Sequence, residues 1–226
     1  MRYEALMENK KLFVFDLDGT IVDTVEDIAA SMNAVLNYYK LPIKPLEHYR
    51  KLVGNGTLNM VNKTLGDDFN AVEEAHFLFE LNYREDCLVR SKPFPDIDVA
   101  MAAIVSSGHY LAVLTNKIQP LAQKIVAAMF PNVSFDAIVG LSPENKAKPD
   151  PETLLRLINQ FKPVECFMIG DTIVDLQTAR NAGINSIAVL WGYSSAKELQ
   201  TMNPERLFSD VDSMLLSFGL EVVVPA

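Results

Sequence analysis

The sequence predicts an α/β protein, a doubly wound and mostly parallel sheet carrying an inserted all-helical domain, and three observations lead there. Short apolar runs alternate with helical periodicities from residue 97 to residue 190, the rhythm of a parallel sheet covered by helices on both faces. One further apolar run, Leu12-Phe13-Val14-Phe15, stands apart near the start. Between the two lies a stretch with helical spacing throughout.

Residues 12–15 are long enough for a strand buried on both faces and too short for a buried helix, and they are predicted to form a central strand. Asp16 and Asp18 follow at once. Alternate residues of an extended chain point the same way, so both carboxylates face one spot beyond the strand's end. Gly19 permits a sharp turn there, and Thr20 brings a hydroxyl to the same spot. Asp23 followed by Glu26 is a capping-box pattern. Val25, Ile28, Ala29, Met32, Val35 and Leu36 then recur at helical spacing as far as Tyr39, and Leu41-Pro42 ends that helix. From Pro45 to about Ser91 the spacing stays helical, with Gly54-Asn55-Gly56 joining two helices, until Pro93-Phe94-Pro95 makes a stiff turn.

Beyond that turn a helix over 97–107 ends at Gly108, and a strand over 110–114 is followed by Thr115-Asn116-Lys117. A helix over 120–130 precedes a short strand at 137–139. Next come the Pro-flanked loop 146–151 with Lys148, a helix through Leu154 and Ile158, and a strand over 166–169 closed by Gly170-Asp171. A helix over 173–182 and a strand over 186–190 complete the pattern. Right-handed crossovers put the C-terminal ends of these strands on one edge, where such sheets bind ligands. The expected organisation is a core from 1–20, a helical cap domain from 21–92 and the remaining core from 93–226.

Taken singly, each polar group on that edge has an ordinary explanation. Asp16-Leu17-Asp18-Gly19 reads as turn chemistry; Thr115-Asn116 as a turn or cap; Lys148 as a solvated loop lysine; Gly170-Asp171 as a helix start. A calcium loop is excluded, because Thr20 and Ile21 stand where that pattern needs a third acid or amide and a glycine. Asp175 follows Asp171 by four residues, so the start of one helix places both on one face. Their arrival in order at successive strand ends argues for a common site.

The segment Asp16-Leu17-Asp18-Gly19-Thr20, with Thr115-Asn116, Lys148 and Gly170-Asp171 after it, resembles the four motifs of the haloacid dehalogenase-like hydrolase superfamily, mostly phosphatases with a Rossmann-like core. The resemblance implies that Asp16 is the nucleophile, Asp18 the general acid and base, Thr115 and Asn116 phosphate ligands, and Lys148 a charge-balancing group. It further implies that Asp171, the Asp16 carboxylate and the Asp18 backbone carbonyl hold Mg²⁺, with Asp175 binding a metal water or bracing Lys148. The helical stretch resembles the cap of the phosphoglycolate phosphatase-like branch, whose cap loop would be Gly54-Asn55-Gly56. On sequence alone, a helix stop and restart explains that loop equally well. Arg50 reads either as a ligand for a substrate carboxylate or as an exposed helix arginine. Relatives often carry Gly where this chain has Asp96, and Ser where it has Thr172.

The implied activity is Mg²⁺-dependent hydrolysis of a small-molecule phosphate ester by a monomer or homodimer; a sugar phosphomutase and a non-catalytic phospho-ligand or protein binding module are the alternatives. Proton donation by Asp18 favours phosphate chemistry over carbon–halogen cleavage, which has no leaving oxygen to protonate. Composition agrees. A net charge of −9 argues against a nucleic-acid partner. The two cysteines, Cys87 and Cys166, form no metal or disulfide framework, and His48, His76 and His109 have no metal spacing. No export signal or membrane span is apparent, which predicts a cytoplasmic protein.

Overall fold

A computed structural model describes residues 9–220; the outermost parts of the two expected core segments, 1–8 and 221–226, lie outside the described residues. Strand β1 (Lys11–Phe15) lies between β4 (Tyr110–Ile118) and β6 (Glu165–Gly170). Beyond them come β5 (Ala137–Leu141) on one side, and β7 (Asn185–Val189) and β8 (Arg206–Phe208) on the other. All neighbours in the sheet run parallel, with Phe15 opposite Val113 and Ile169. After β1 the chain works outward through β4 and β5 and then restarts on the far side at β6. That reversal opens a crevice at the C-terminal end of β1, the place where such sheets bind ligands.

The alternation of β1 explains why it is apolar throughout. Phe13 and Phe15 join one hydrophobic cluster with Met101 and Ile104, while Leu12 and Val14 join another with Leu154 and Leu157. Each such side chain, removed from water, contributes roughly 1.5–3 kcal/mol. Neither face of β1 meets solvent, so its end is a rigid mount for the residues that follow. Helices α5 (Ile97–Ser106), α6 (Gln119–Met129), α7 (Glu152–Phe161) and α8 (Ile173–Ala182) cover the sheet.

The insertion comprises α1 (Val25–Tyr38), α2 (Leu46–Arg50), α3 (Thr57–Leu65) and α4 (Val72–Asp86). Its two ends are drawn together where β2 (Val22–Asp23) pairs antiparallel with β3 (Lys92–Pro93). Two-residue strands are too short to leave a periodic signal, and this ribbon was not predicted. It also overturns the expected Asp23–Glu26 capping box. Thr24 occupies the cap position without a side-chain cap bond, and Asp23 instead accepts the Tyr193 hydroxyl at 3.0 Å. Asp27, fully buried on α1, accepts from the Arg90 and Ser91 backbone N–H groups and the Ser91 hydroxyl. This clasp fixes the return of the chain toward the sheet. Asp96, at the start of α5, takes a left-handed φ of +60°, a conformation that glycine adopts freely and aspartate tolerates better than most residues.

Strand β4 continues four residues past its expected end at Leu114, with a register shift against β5 between Leu114 and Ile118. Thr115, Asn116 and Lys117 thus lie in extended, buried backbone and not in a turn. Beyond β7, α9 (Ala196–Gln200), β8 and α10 (Val211–Ser217) were not anticipated; each is seven residues or fewer, too short to leave a clear period in the sequence. Among the described residues no helix is long and apolar enough to cross a membrane.

Candidate active site

The chain carries Asp16 out of β1 without losing sheet geometry, its N–H donating to the Ile169 carbonyl at 2.9 Å. Asp16 Oδ1 then accepts from Leu17 N at 2.7 Å and from Lys148 Nζ at 2.8 Å. Its Oδ2 has no hydrogen-bond donor among the described residues. Asp18 follows on the same side; its Oδ1 accepts from the Thr24 hydroxyl at 2.5 Å and forms an ion pair with Lys117 Nζ at 3.2 Å. Gly19 turns the chain with φ +84°, and a Cβ at this position would run into the Asp171 carboxylate. Glycine is required twice over, by conformation and by close approach.

Asp171, beyond the end of β6, accepts the Thr20 hydroxyl at 2.9 Å and Tyr193 N at 2.8 Å. Asp175 reaches back from the first turn of α8, taking Lys148 Nζ at 2.5 Å on Oδ1 and both the N–H and hydroxyl of Thr172 on Oδ2. Thr172 closes a capping box with Asp175. Of the two expectations for Asp175, the hydrogen bonds match the brace for Lys148.

Carboxylate oxygens of Asp16, Asp171 and Asp175 lie within 4.8 Å of one another, all three side chains buried. Burial pushes the Asp16 carboxyl up to about 7 in spite of the adjacent Lys148, with Asp175 and Asp18 adding to the rise. Burial likewise holds Asp171 well above the usual carboxylate range, reinforced by Asp175 and Asp16 and opposed by the Tyr193 N–H and Thr20 hydroxyl. Burial alone would lower the Lys148 ammonium, but Asp16 and Asp175 more than offset it and hold it above its ordinary value. One lysine among three buried acids leaves surplus negative charge, which a hard cation with a preference for oxygen would relieve. Asp16 with its unengaged oxygen and Asp171, bound only by neutral donors, fit such an ion.

Thr115 and Asn116 lie beside this cluster. Asn116 Oδ1 accepts from Lys148 N at 2.8 Å, and its amide donates to the carbonyls of Lys148 and Gly54, both at 3.0 Å. The Asn116 side chain is thereby spent on tying the lysine loop and the insertion to β4. The sheet-side wall of the cavity beside Asp16 and Asp18 is completed by Thr115, Asn116 and Lys117. Opposite stand Ile28, Leu52, Val53 and Met60 with Gly54, Gly56 and Thr57 from the insertion. The enclosed space between these walls is about 30 Å³, and about 410 Å³ when the open mouth is counted.

Most residues singled out in the sequence thus converge. Gly54 and Gly56 reach the cavity; Asn55 is exposed and lies outside its lining. Arg50 is paired with Glu47 at 2.6 Å and does not line the cavity. The histidines serve local contacts, His48 with Thr64, His76 with Thr57 and His109 with Lys11 N. Lys117 is the residue that sequence reasoning passed over. Its signal was its spacing, two residues after Thr115 in what proved to be one extended strand.

Comparison with known proteins bears on this geometry. A family model described as haloacid dehalogenase-like hydrolase matches residues 13–189. A phosphoglycolate phosphatase of Aquifex aeolicus is 30% identical over 92% of this chain and 100% of its own length. One from Psychrobacter arcticus is 27% identical over 92% and 95% respectively. Among solved structures, a haloacid dehalogenase-like family hydrolase from Streptococcus pneumoniae superposes with a TM-score of 0.84 at 24% identity, covering 93% of this chain and 99% of that one.

Proposed function

Since the chain belongs to the haloacid dehalogenase-like hydrolases, we propose that it is a Mg²⁺-dependent phosphatase that hydrolyses a small phosphorylated metabolite, phosphoglycolate or a related acid or sugar phosphate, through an aspartyl-phosphate on Asp16. The observation that carries this reading is the state of Asp16: one oxygen held by Lys148 and Leu17 N, the other unengaged, beside Asp18 at the wall of the cavity.

Asp16 Oδ2 attacks phosphorus as the ester P–O bond breaks, and Asp18 gives its proton to the departing oxygen. Water then attacks the phosphorus of the aspartyl-phosphate, returning a proton to Asp18, releasing phosphate and restoring Asp16. Such general acid–base help is worth roughly 10²–10⁴-fold in rate. A carboxylate meets a phosphate dianion only where positive charge offsets their repulsion. Lys148 supplies part of it, and Mg²⁺ held by Asp16, Asp171 and the Asp18 carbonyl would supply the rest. Asp175 keeps Lys148 aimed at Asp16. Thr115 and the neighbouring backbone bind the transferred phosphoryl oxygens, and residues 21–92 act as a cap whose Gly54–Gly56 loop closes the site against water. The protein works in the cytoplasm, as a monomer or homodimer.

The test is a panel of phosphorylated acids and sugars given to purified protein with Mg²⁺ and with chelator. Metal-dependent release of inorganic phosphate is expected, and it should vanish in Asp16→Asn. A rearranged sugar phosphate in place of free phosphate would reassign the enzyme as a mutase, and inertness toward every ester would remove the catalytic reading.

A further inference from the structure

We infer that Lys117 is the positioning residue for Asp18 and that, through Tyr83, it ties that carboxylate to a helix of the inserted block. The inference rests on the general-acid reading of Asp18 given above.

Lys117 is only 4% exposed. Its ammonium is 3.2 Å from Asp18 Oδ1, donates to the Tyr83 hydroxyl at 2.8 Å and sits 4.3 Å from the centroid of the Tyr83 ring. Tyr83, 1% exposed, belongs to α4, so this contact spans from the sheet edge to the insertion. Burying an ammonium costs several kcal/mol unless it is paired. An apolar side chain would fill the same volume without that cost, so packing alone does not account for a lysine. What the charge accomplishes is visible at Asp18. With Lys117 paired to Oδ1 at 3.2 Å and the Thr24 hydroxyl donating to the same oxygen, Oδ1 is occupied, and among the described residues Oδ2 is the oxygen left to face the leaving group. Because Lys117 also holds Tyr83, a shift of α4 changes the support under Asp18. Closing the insertion over a substrate and aiming the acid become one event.

The experiment uses two leaving groups. Nitrophenolate departs from 4-nitrophenyl phosphate without a proton, whereas the alkoxide of glycerol 2-phosphate needs one. We would measure kcat and KM on both, in Mg²⁺, for the wild type, Asp18→Asn, Lys117→Met and Tyr83→Phe. The quantity compared is the ratio of alkyl to aryl kcat/KM, taken on one preparation so that any misfolded fraction cancels. Asp18→Asn should lower the ratio by about 100-fold or more. Lys117→Met should lower it about tenfold, through kcat with KM for glycerol 2-phosphate little changed, and Tyr83→Phe by a smaller factor. An unchanged ratio in Lys117→Met, with the Asp18→Asn ratio lowered, overturns the positioning role and leaves the general acid standing. An unchanged ratio in Asp18→Asn removes the acid itself, and the inference with it. Should Lys117→Met fail to fold, Tyr83→Phe decides alone: a lowered ratio supports the link and an unchanged one overturns it.

Discussion

On the sheet side of the cavity, Asp16, Asp18, Asn116 and Lys117 are each bound to named neighbours at hydrogen-bonding distance. On the insertion side the lining is mostly Ile28, Leu52, Val53 and Met60, with backbone from Gly54 and Gly56. The first wall is over-determined, because a displacement of any one group would break bonds made by two or three others. The second is held by shape and burial, which tolerate exchange of one apolar group for another. In the proposed reading the first wall carries the chemistry and the second the choice of substrate, with the Lys117–Tyr83 and Asn116–Gly54 contacts as the links between them.

The sharpest way to break that division is to remove charge from the sheet side. Asp16→Asn should reduce kcat by at least about 10³-fold, the scale expected when a nucleophile that acts as one unit with its neighbours is lost. It should also raise the thermal midpoint of metal-free protein, because one member of a surplus-negative buried cluster becomes neutral. Lys148→Met should likewise cost at least about 10²-fold in kcat, but with the opposite effect on stability. Removing the lone lysine leaves Asp16 and Asp175 without their counter-charge, and breaking a buried pair in this way costs roughly 3–5 kcal/mol. Differential scanning calorimetry in chelator separates the two signs.

The pH dependence of metal-free protein follows from the same cluster. The Asp16 carboxyl is raised to about 7 in the folded state by burial, so the folded chain holds more protons than the unfolded one above the usual carboxylate range. Its contribution to stability therefore falls as pH rises from about 4 toward 7. Saturating Mg²⁺ should flatten that slope and raise the midpoint; a slope unaffected by metal would mean that the ion binds elsewhere.

Changes on the insertion side should be smaller and should fall on KM. Gly54 has φ +98° and its Cβ would press on the Thr172 methyl at 3.0 Å, so Gly54→Ala costs ~1–2 kcal/mol of local backbone strain. A severalfold rise in KM with the fold intact is expected from steady-state kinetics. Smallest of all is the effect on thiol chemistry. Cys166 is buried in the sheet and burial pushes its thiol up to about 12, so alkylation at pH 8 should be slow in native protein and fast in denaturant, followed by mass spectrometry.

The sheet was legible because parallel strands buried on both faces must be apolar runs, and Asp16, Asp18, Thr115 and Asp171 are polar where each apolar run stops. What escaped was of two kinds. The β2–β3 ribbon and the final short elements depend on tertiary pairing, which no local period records. Lys117 was hidden because an apolar strand was expected to end at Leu114, and a lysine just past a strand end usually meets solvent. Only the continuation of β4 turns it inward. Asn55 was carried along with its glycine neighbours, although the conformations that bring Gly54 and Gly56 to the cavity leave the side chain between them outside.

The central claim is that Asp16 forms a bond to phosphorus, and borohydride trapping addresses it directly. Asp18→Asn protein, in which breakdown of the intermediate is slowed, is mixed with 4-nitrophenyl phosphate and Mg²⁺, quenched, reduced and digested for mass spectrometry. The account predicts homoserine at position 16, dependent on both substrate and metal. Reduction at a different carboxylate, or none at position 16 while nitrophenolate is released in a burst, would contradict it.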